Sequence, residues 1–170
     1  MTVQVRRIRM DEWERVRDLR LRALADPAAG IAFLDTVAGA SAQPDDFWRL
    51  RAANAAVGTG AAQFIAVENT GQWCATLTVL HADGPERTGL VVGVYVAEGR
   101  RGTGTIDALF DEAARWAADA GAIALTLDVH VDNARAQAAY ARNGFVRTGE
   151  IAEASIGREY VMRRELEPSR

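Results

Sequence analysis

One stretch of this chain constrains its fold more than any other: a strand, a glycine-rich loop, an amphipathic helix and a second strand. The mostly apolar residues 89–96 predict the first strand. Residues 106–120 predict the helix, with an apolar face opposite aspartates and an arginine, and Gly121 ends it. Residues 124–131 predict the second strand. A helical crossover between strands of one sheet makes them parallel, so the sequence predicts a βαβ unit.

The flanking segments predict further antiparallel strands and helices around this unit. Asp11, with Glu14 three residues on, resembles a capping-box start for a first helix. Residues 30–40 are either loop or a short helix. The remaining predicted strands are 3–9, 64–67, 73–80, 145–148 and 159–164, and the remaining predicted helices are about 44–55 and 133–142. We therefore predict an α/β fold with a mixed, mostly antiparallel central sheet, a parallel βαβ crossover and helices on both faces, in one domain over residues 1–170.

Composition gives no support for several classes of partner. The net charge is −3, and all 20 Lys+Arg positions are arginine. This balance is too small to favour nucleic acid or an anionic membrane as a partner. Cys74 is the one cysteine, so no intrachain disulfide forms. Without an apolar signal segment or a membrane-length apolar run, we expect a cytoplasmic protein.

The loop before the predicted helix, residues 100–105, has the composition of a phosphate cradle. Glycines let the backbone approach an anion closely, and a helix N-terminus offers unpaired N–H groups with a partial positive charge. A P-loop would need a lysine where Thr105 stands. A dinucleotide fingerprint would need a glycine where Asp107 stands. From the loop alone, a strand-to-helix turn with no ligand remains an alternative.

A second motif, about thirty residues later, narrows the choice of ligand for this loop. The segment RGTGTIDALF begins at Arg101, and Asn133, Ala136, Tyr140, Gly144 and Phe145 follow at fixed spacing. Together they resemble the two coenzyme A motifs of the GNAT superfamily of N-acetyltransferases. The resemblance implies the GNAT fold and transfer of an acetyl group from acetyl-CoA to an amine. Dimers are common in that family, so a homodimer is a further expectation.

The resemblance also assigns cofactor-binding residues. It implies that the strand backbone pairs with the pantetheine arm, that the loop holds the pyrophosphate, and that Asn133 begins the second motif, although Asn133 is also a natural helix N-cap. Ile106 departs from the family's usual Gly or Ala, and its side chain is expected to point into the core. The residues assigned to the cofactor are Val94, Tyr95, Val96, Arg101, Gly102, Thr103, Gly104, Thr105, Ile106 and Asn133.

The same resemblance implies Tyr140 as the acid that protonates the leaving thiolate. Asp128 lies on a polar strand face and falls where ribosomal-protein N-terminal acetyltransferases carry a glutamate base. Its rivals are His130 as base and a purely structural role for Asp128. Direct attack requires that the ammonium acceptor first lose a proton.

Other residues carry less information. His81 and His130 lack a partner at metal-ligand spacing, so no metal is expected. Cys74 is expected to be a core residue rather than a nucleophile. Asp35, Asp45 and Asp46 favour a cationic amine acceptor, although surface solvation explains each of them singly. Two other readings remain open: a non-catalytic CoA-binding sensor on the same fold, and a nucleotide-binding domain that uses the same loop.

Overall fold

The computed structural model, which describes residues 2–81 and 84–168, contains a sheet in the order β1-β2-β3-β4-β5-β7-β6. The strands are β1 (Gln4–Arg7), β2 (Ala61–Val67), β3 (Trp73–His81), β4 (Thr88–Val96), β5 (Ala124–His130), β6 (Val146–Ala154) and β7 (Gly157–Glu165). The helices are α1 (Trp13–Leu24), α2 (Val37–Ser41), α3 (Asp45–Val57), α4 (Thr105–Asp119) and α5 (Ala134–Arg142). Within this described part, β4 and β5 pair in parallel and the other neighbours pair antiparallel, which confirms the predicted fold class.

Several predicted boundaries were wrong. The strand predicted over 145–148 runs from Val146 to Ala154. Its residues are mostly exposed and do not alternate, so pairing with β7, rather than a local pattern, forms it.

In the described residues no helix is long and apolar enough to cross a membrane.

The start of the first helix also differs from its prediction. A 3-10 turn over Met10–Glu12 precedes α1, and Glu12 takes the place predicted for Glu14. The Glu12 carboxylate accepts the Arg9 backbone N–H at 2.9 Å and the Arg6 guanidinium at 2.6 and 2.9 Å. A contact with β1, which local spacing does not reveal, therefore decides which glutamate begins the helix.

Two apolar clusters hold helices on both faces of the sheet. On one face, α4 packs Leu109 and Phe110 against strand residues such as Leu77 and Leu125. On the other face, α1 and α3 pack Leu19 and Trp48 against Ile65. Burial of such large side chains on both faces is the main favourable term for the fold, at roughly 1.5–3 kcal/mol for each fully buried aliphatic or aromatic side chain.

Strands β4 and β5 stay together for only a short distance. They pair at Thr88–Ala124, Gly89–Leu125 and Leu90–Thr126, and β4 then leaves β5. Gly93 adopts a φ of 63° where the register of β4 against β3 shifts, so a glycine bulge bends the strand at this point. The backbone beyond the bulge borders a gap in the sheet, which is the separation that the GNAT resemblance requires.

Gly89 is tightly packed within the short parallel contact. A Cβ at this position would lie 2.9 Å from Val79 Cγ1, 3.0 Å from Leu125 Cδ2 and 3.5 Å from Ala117 Cβ. We predict that Gly89→Ala lowers the free energy of unfolding by about 1–2 kcal/mol, because overpacking costs more than the reduced chain entropy returns. Urea unfolding measures this value.

Gly60→Ala is the matched control for that experiment. Gly60 precedes β2, and a Cβ there would meet nothing within 4 Å. Its substitution should leave stability unchanged or slightly raised. Equal midpoints for the two variants would contradict tight packing at Gly89.

Candidate active site

A large cleft opens where β4 and β5 separate. Its volume is about 450 Å³, which lies within the range of ligand sites, roughly 300–1,000 Å³. The cleft is lined by the chain after α1, by β4, the glycine-rich loop, β5, one side of α5 along its length and one residue of β7. It therefore brings together most of the residues that the sequence assigned to cofactor binding and catalysis.

The glycine-rich loop forms the N-terminal end of α4. Gly102 and Gly104 adopt left-handed φ values of 73° and 82°, and Gly104 is the residue immediately before the helix. The N–H groups at the beginning of a helix lack intrahelical acceptors and carry the positive end of its dipole. These two glycines turn that end of α4 toward the cleft, as an anion cradle requires.

The loop threonines brace the loop itself. The Thr103 hydroxyl donates to the Arg100 carbonyl at 2.7 Å, and the Thr105 hydroxyl lies 2.9 Å from that of Thr103. Thr105 is buried. Ile106 is half-buried and packs against the apolar cluster beneath α4, in agreement with its predicted orientation. The backbone N–H groups of the loop thus remain its principal donors toward the cleft.

Arg101 holds the loop against two other elements. Its Nε donates to the Val96 carbonyl at 3.0 Å, and its Nη2 forms an ion pair with Asp26, just after α1. Burial raises the pKa of Asp26, but hydrogen bonds from the Ala28 N–H and from Arg101 outweigh this and bring the pKa below its ordinary value. The Arg101 side chain therefore positions the loop, and its guanidinium already has partners.

The backbone of β4 beyond the bulge faces two ways. Successive residues of a strand direct their N–H and C=O groups to opposite sides. The Ala97 N–H bonds to the Cys74 carbonyl of β3 at 2.8 Å, so the Tyr95 backbone also faces β3. Val94 and Val96 direct theirs toward the gap. Of the three residues predicted to pair with a pantetheine arm, these two present backbone groups there, while the Tyr95 ring packs against the cluster of α1 and α3.

Helix α5 presents the second motif to the cleft. The Asn133 side chain caps the helix by accepting the Ala136 N–H at 3.2 Å, and both residues line the cleft. Tyr140 is 8% exposed and lines the cleft as well. Its ring packs edge-on against Phe110 at 5.7 Å between centroids. Burial raises the pKa of Tyr140, so its hydroxyl keeps the proton that an acid must give.

Two carboxylates lie on the cleft wall formed by β5 and β7. Asp128 is exposed to the cleft, yet the surrounding protein removes enough water to raise its pKa. Glu159 lies on the same face of the neighbouring strand, because His130 is its direct partner in the antiparallel register. Its pKa is raised by burial and by Asp128, against a lowering by His130. The sequence analysis missed Glu159, since only the register of β7 brings it to the cleft.

His130 is less available as a base than the sequence suggested. It is 7% exposed, its Nε2 lies 2.9 Å from the Ile156 carbonyl, and its Nδ1 accepts the Asp132 N–H at 3.1 Å. Both ring nitrogens therefore have backbone partners, with Nδ1 accepting and Nε2 next to a carbonyl oxygen. This arrangement anchors the β6–β7 hairpin to β5.

The remaining candidates lie outside the cleft. Each acidic residue suggested for an acceptor wall has an arginine partner: Asp35 with Arg20 at 3.8 Å, Asp45 with Arg17 at 3.5 Å, and Asp46 with Arg49 at 3.2 Å. Cys74 is buried, and burial raises the pKa of its thiol, as expected of a core residue and not of a nucleophile. Among the described residues, no three His, Cys, Asp or Glu side chains form a group that could hold a metal ion.

Solved structures share this architecture. The acetyltransferase of GNAT family from Streptococcus pneumoniae superposes with a TM-score of 0.80 at 18% identity, over 98% of this chain and 100% of that one. The protein yncA from Salmonella typhimurium, solved with its cofactor acetyl-CoA, gives 0.77 at 16% identity over 100% and 97% of the two chains. Nourseothricin acetyltransferase gives 0.59 at 29% identity over 64% and 66%.

Sequence comparison gives the family directly. No curated protein sequence matches the chain. The model of the acetyltransferase (GNAT) family matches residues 12–145. This span includes β4, the glycine-rich loop and Tyr140. The chain therefore belongs to the GNAT acetyltransferase family.

Proposed function

We propose that this protein is an N-acetyltransferase that transfers an acetyl group from acetyl-CoA to a primary amine by direct attack. The observation that carries the proposal is the composition of one cleft. It contains, at the split between β4 and β5, a helix N-terminus suited to a pyrophosphate, a buried tyrosine with a raised pKa and two carboxylates. These are the groups that acyl transfer from a thioester requires.

The residues fit acetyl-CoA in two places. The Val94 backbone and the Val96 N–H are available to an extended amide-bearing arm, in the manner of strand addition, while the Val96 carbonyl accepts from Arg101. The first turn of α4, with Gly102 and Gly104 before it, offers N–H groups to the pyrophosphate. When bound, acetyl-CoA supplies an activated acyl carbon and a thiolate leaving group.

The chain supplies proton transfer on either side of that reaction. The acceptor nitrogen must lose a proton before it forms the new C–N bond, and Asp128 takes that proton directly or through one water. Tyr140 gives its proton to the sulfur as the C–S bond breaks. The two groups have opposite tasks, and burial keeps Tyr140 protonated while the more exposed Asp128 remains able to ionise.

The acceptor is a small cationic amine or a protein N-terminus. The aspartates first considered for its recognition are paired with arginines, so Asp128 and Glu159 are the carboxylates that face an amine in the cleft. The release of free CoA in the presence of a panel of amines tests the proposal. A protein that binds acetyl-CoA and stays saturated without turnover on every amine would instead be a sensor.

We predict micromolar binding of acetyl-CoA, about −8 kcal/mol at 1 μM, and at least tenfold weaker binding by Gly104→Val. Valine is strained at the left-handed φ of 82° and blocks close approach of a pyrophosphate. Calorimetry measures the affinity. Gly71→Val is the matched control, because Gly71 has a φ of 83° in a turn outside the cleft. Equal affinities for Gly104→Val and Gly71→Val would refute the cradle.

We predict that Tyr140→Phe retains acetyl-CoA affinity and lowers kcat by about 10²–10⁴-fold, the usual contribution of a general acid. The ring contacts with Phe110 and Phe145 persist in the variant, so a loss of rate reports the hydroxyl. Single-turnover kinetics separate chemistry from binding. Tyr160→Phe, at a ring that packs under Arg147, is the control. A rate within threefold of the parent would make Tyr140 a packing residue.

We predict that Asp128→Asn removes the acidic limb of the kcat/KM profile. A base acts when deprotonated, so the parent rate rises as pH increases through the pKa of Asp128, which desolvation places above the ordinary aspartate value. The carboxamide has no such titration. Asp132→Asn, at a carboxylate 79% exposed beside His130, should keep the limb.

His130→Ala distinguishes the rival base in the same profile. Because both ring nitrogens have backbone partners, we expect this variant to keep the limb and lose stability. Loss of the limb in His130→Ala, with its retention in Asp128→Asn, would transfer the role of base to the histidine.

A further inference from the structure

A second, polar pocket adjoins the acceptor end of the cleft. It lies between α1, α3 and the sheet, and its volume is about 20 Å³, enough for one water or one ligand oxygen. Gly93, at the bulge of β4, lines both the pocket and the cleft. The other lining residues are Val16, Arg20, Ala23, Arg51, Gln63, Thr76 and Thr78.

The pocket holds more positive than negative charge. The nearest carboxylate of Arg20 is Asp35 at 3.8 Å, longer than a hydrogen bond. In the part of the chain that the structure describes, Arg51 forms no hydrogen bond or ion pair, and its guanidinium lies 5.8 Å from the centroid of the Trp48 ring. Two guanidinium groups therefore share one carboxylate in a site withdrawn from water. Burial lowers the pKa of both arginines, and Arg51 lowers that of Arg20 further.

Hydrogen bonds inside the pocket are incomplete as well. Arg20 Nε and Gln63 Oε1 are buried with no partner. Gln63 Nε2 donates to the Thr76 hydroxyl at 3.1 Å, and that hydroxyl donates to the Phe64 carbonyl at 2.8 Å, which fixes the direction of the amide. Arg20 Nε can donate to a water or to an anion, whereas Gln63 Oε1, which only accepts, needs a donor such as a water. A neutral molecule leaves the excess positive charge in place, and an anion bound to the guanidinium groups offsets that charge.

The position of Arg20 relates this charge to the acceptor. Its guanidinium lies over the ring of Phe33 at 4.8 Å, and Phe33 lines the cleft. Its Nη1 is 4.0 Å from where a Cβ of Gly93 would lie. The proposed cofactor arm runs back along β4 from the pyrophosphate loop, so its thioester end lies at Val94, directly after Gly93. The positive charge therefore faces the end of the cleft that receives the acceptor.

We propose that the acceptor is an amine that also carries a carboxylate, of the amino acid class, and that Arg20 and Arg51 bind this carboxylate while Asp128 and Glu159 face its amine. The inference rests on the proposed acetyl transfer and names its substrate class. Guanidinium groups suit planar carboxylates. A polyamine has no anionic group for this pocket. An internal peptide segment has no carboxylate to place there either, so the pocket would hold only water.

The test compares each of a panel of amino acids with its own carboxamide, by free CoA release. We expect the parent to prefer the carboxylate over the carboxamide at least tenfold in kcat/KM. Arg51→Gln should reduce this preference to within threefold, mainly by raising the KM for the carboxylate. Arg49→Gln is the matched control on the same helix, because Arg49 is exposed and pairs with Asp46. It should keep the preference.

A stability measurement separates binding from structure. Since Arg51 adds uncompensated charge to the ligand-free protein, Arg51→Gln should keep or raise the Tm, whereas loss of a structural contact would lower it. Arg20→Gln gives a second variant on α1, and Arg17→Gln is its control, because Arg17 lies outside the pocket and pairs with Asp18 and Asp45. A lowered Tm with an unchanged carboxylate preference in both pocket variants would overturn the inference.

The outcomes for the two proposals are distinct. If amines are acetylated and carboxamides or polyamines react as well as amino acids, the acetyl transfer stands and the carboxylate site is wrong. If no amine in the panel releases CoA, both are wrong.

Discussion

The separation of β4 from β5 is the feature on which the rest of the site depends. A continuous parallel pairing would bury the backbone of β4 in the sheet and close the cleft. Three residue pairs hold the strands together at Thr88, Gly89 and Leu90, and the bulge at Gly93 then redirects β4. Strand β5 retains its full pairing with β7, so the split weakens one seam of the sheet and leaves the other intact. Packing of α4 and of α1 and α3 on opposite faces supports the sheet on both sides of the gap.

Different depths of burial separate the titrating groups of the cleft into two roles. Tyr140 is enclosed by Phe110 and Phe145 and stays neutral. Asp128 and Glu159 lie closer to solvent and to each other. Their pKa values are raised, yet both carboxyl groups can still ionise. In the reaction that we propose, environment and not residue type alone therefore suits one group to give a proton and another to take one.

The region where α1 and α3 pack over the sheet differs in charge from the cleft on the other side of the Gly93 bulge. Helices α1 and α3 place Arg20 and Arg51 beside Gly93, with Asp35 as the nearest carboxylate of Arg20, while Asp45 pairs with Arg17 outside the cleft. The GNAT framework accounts for the cofactor cleft, because that cleft follows from the split sheet and the helix after it. The acceptor pocket that we propose is built instead from side chains of α1, α3 and the strands beneath them.

Sequence alone determined the local parts of this protein. The loop from Arg101 to Ile106 and the segment from Asn133 to Tyr140 were recognisable because each is one helix start or two helical turns, where spacing along the chain sets spacing in space. Tertiary structure decided the rest: the bulge at Gly93, the arrival of Glu159 beside Asp128, the pairing of Asp35 with Arg20 and the polar pocket around Arg51. These depend on strand register and on helix packing between segments far apart in the chain. A shift of one residue in register turns every side chain of a strand to the opposite face, and no local pattern reports which register the folded chain adopts.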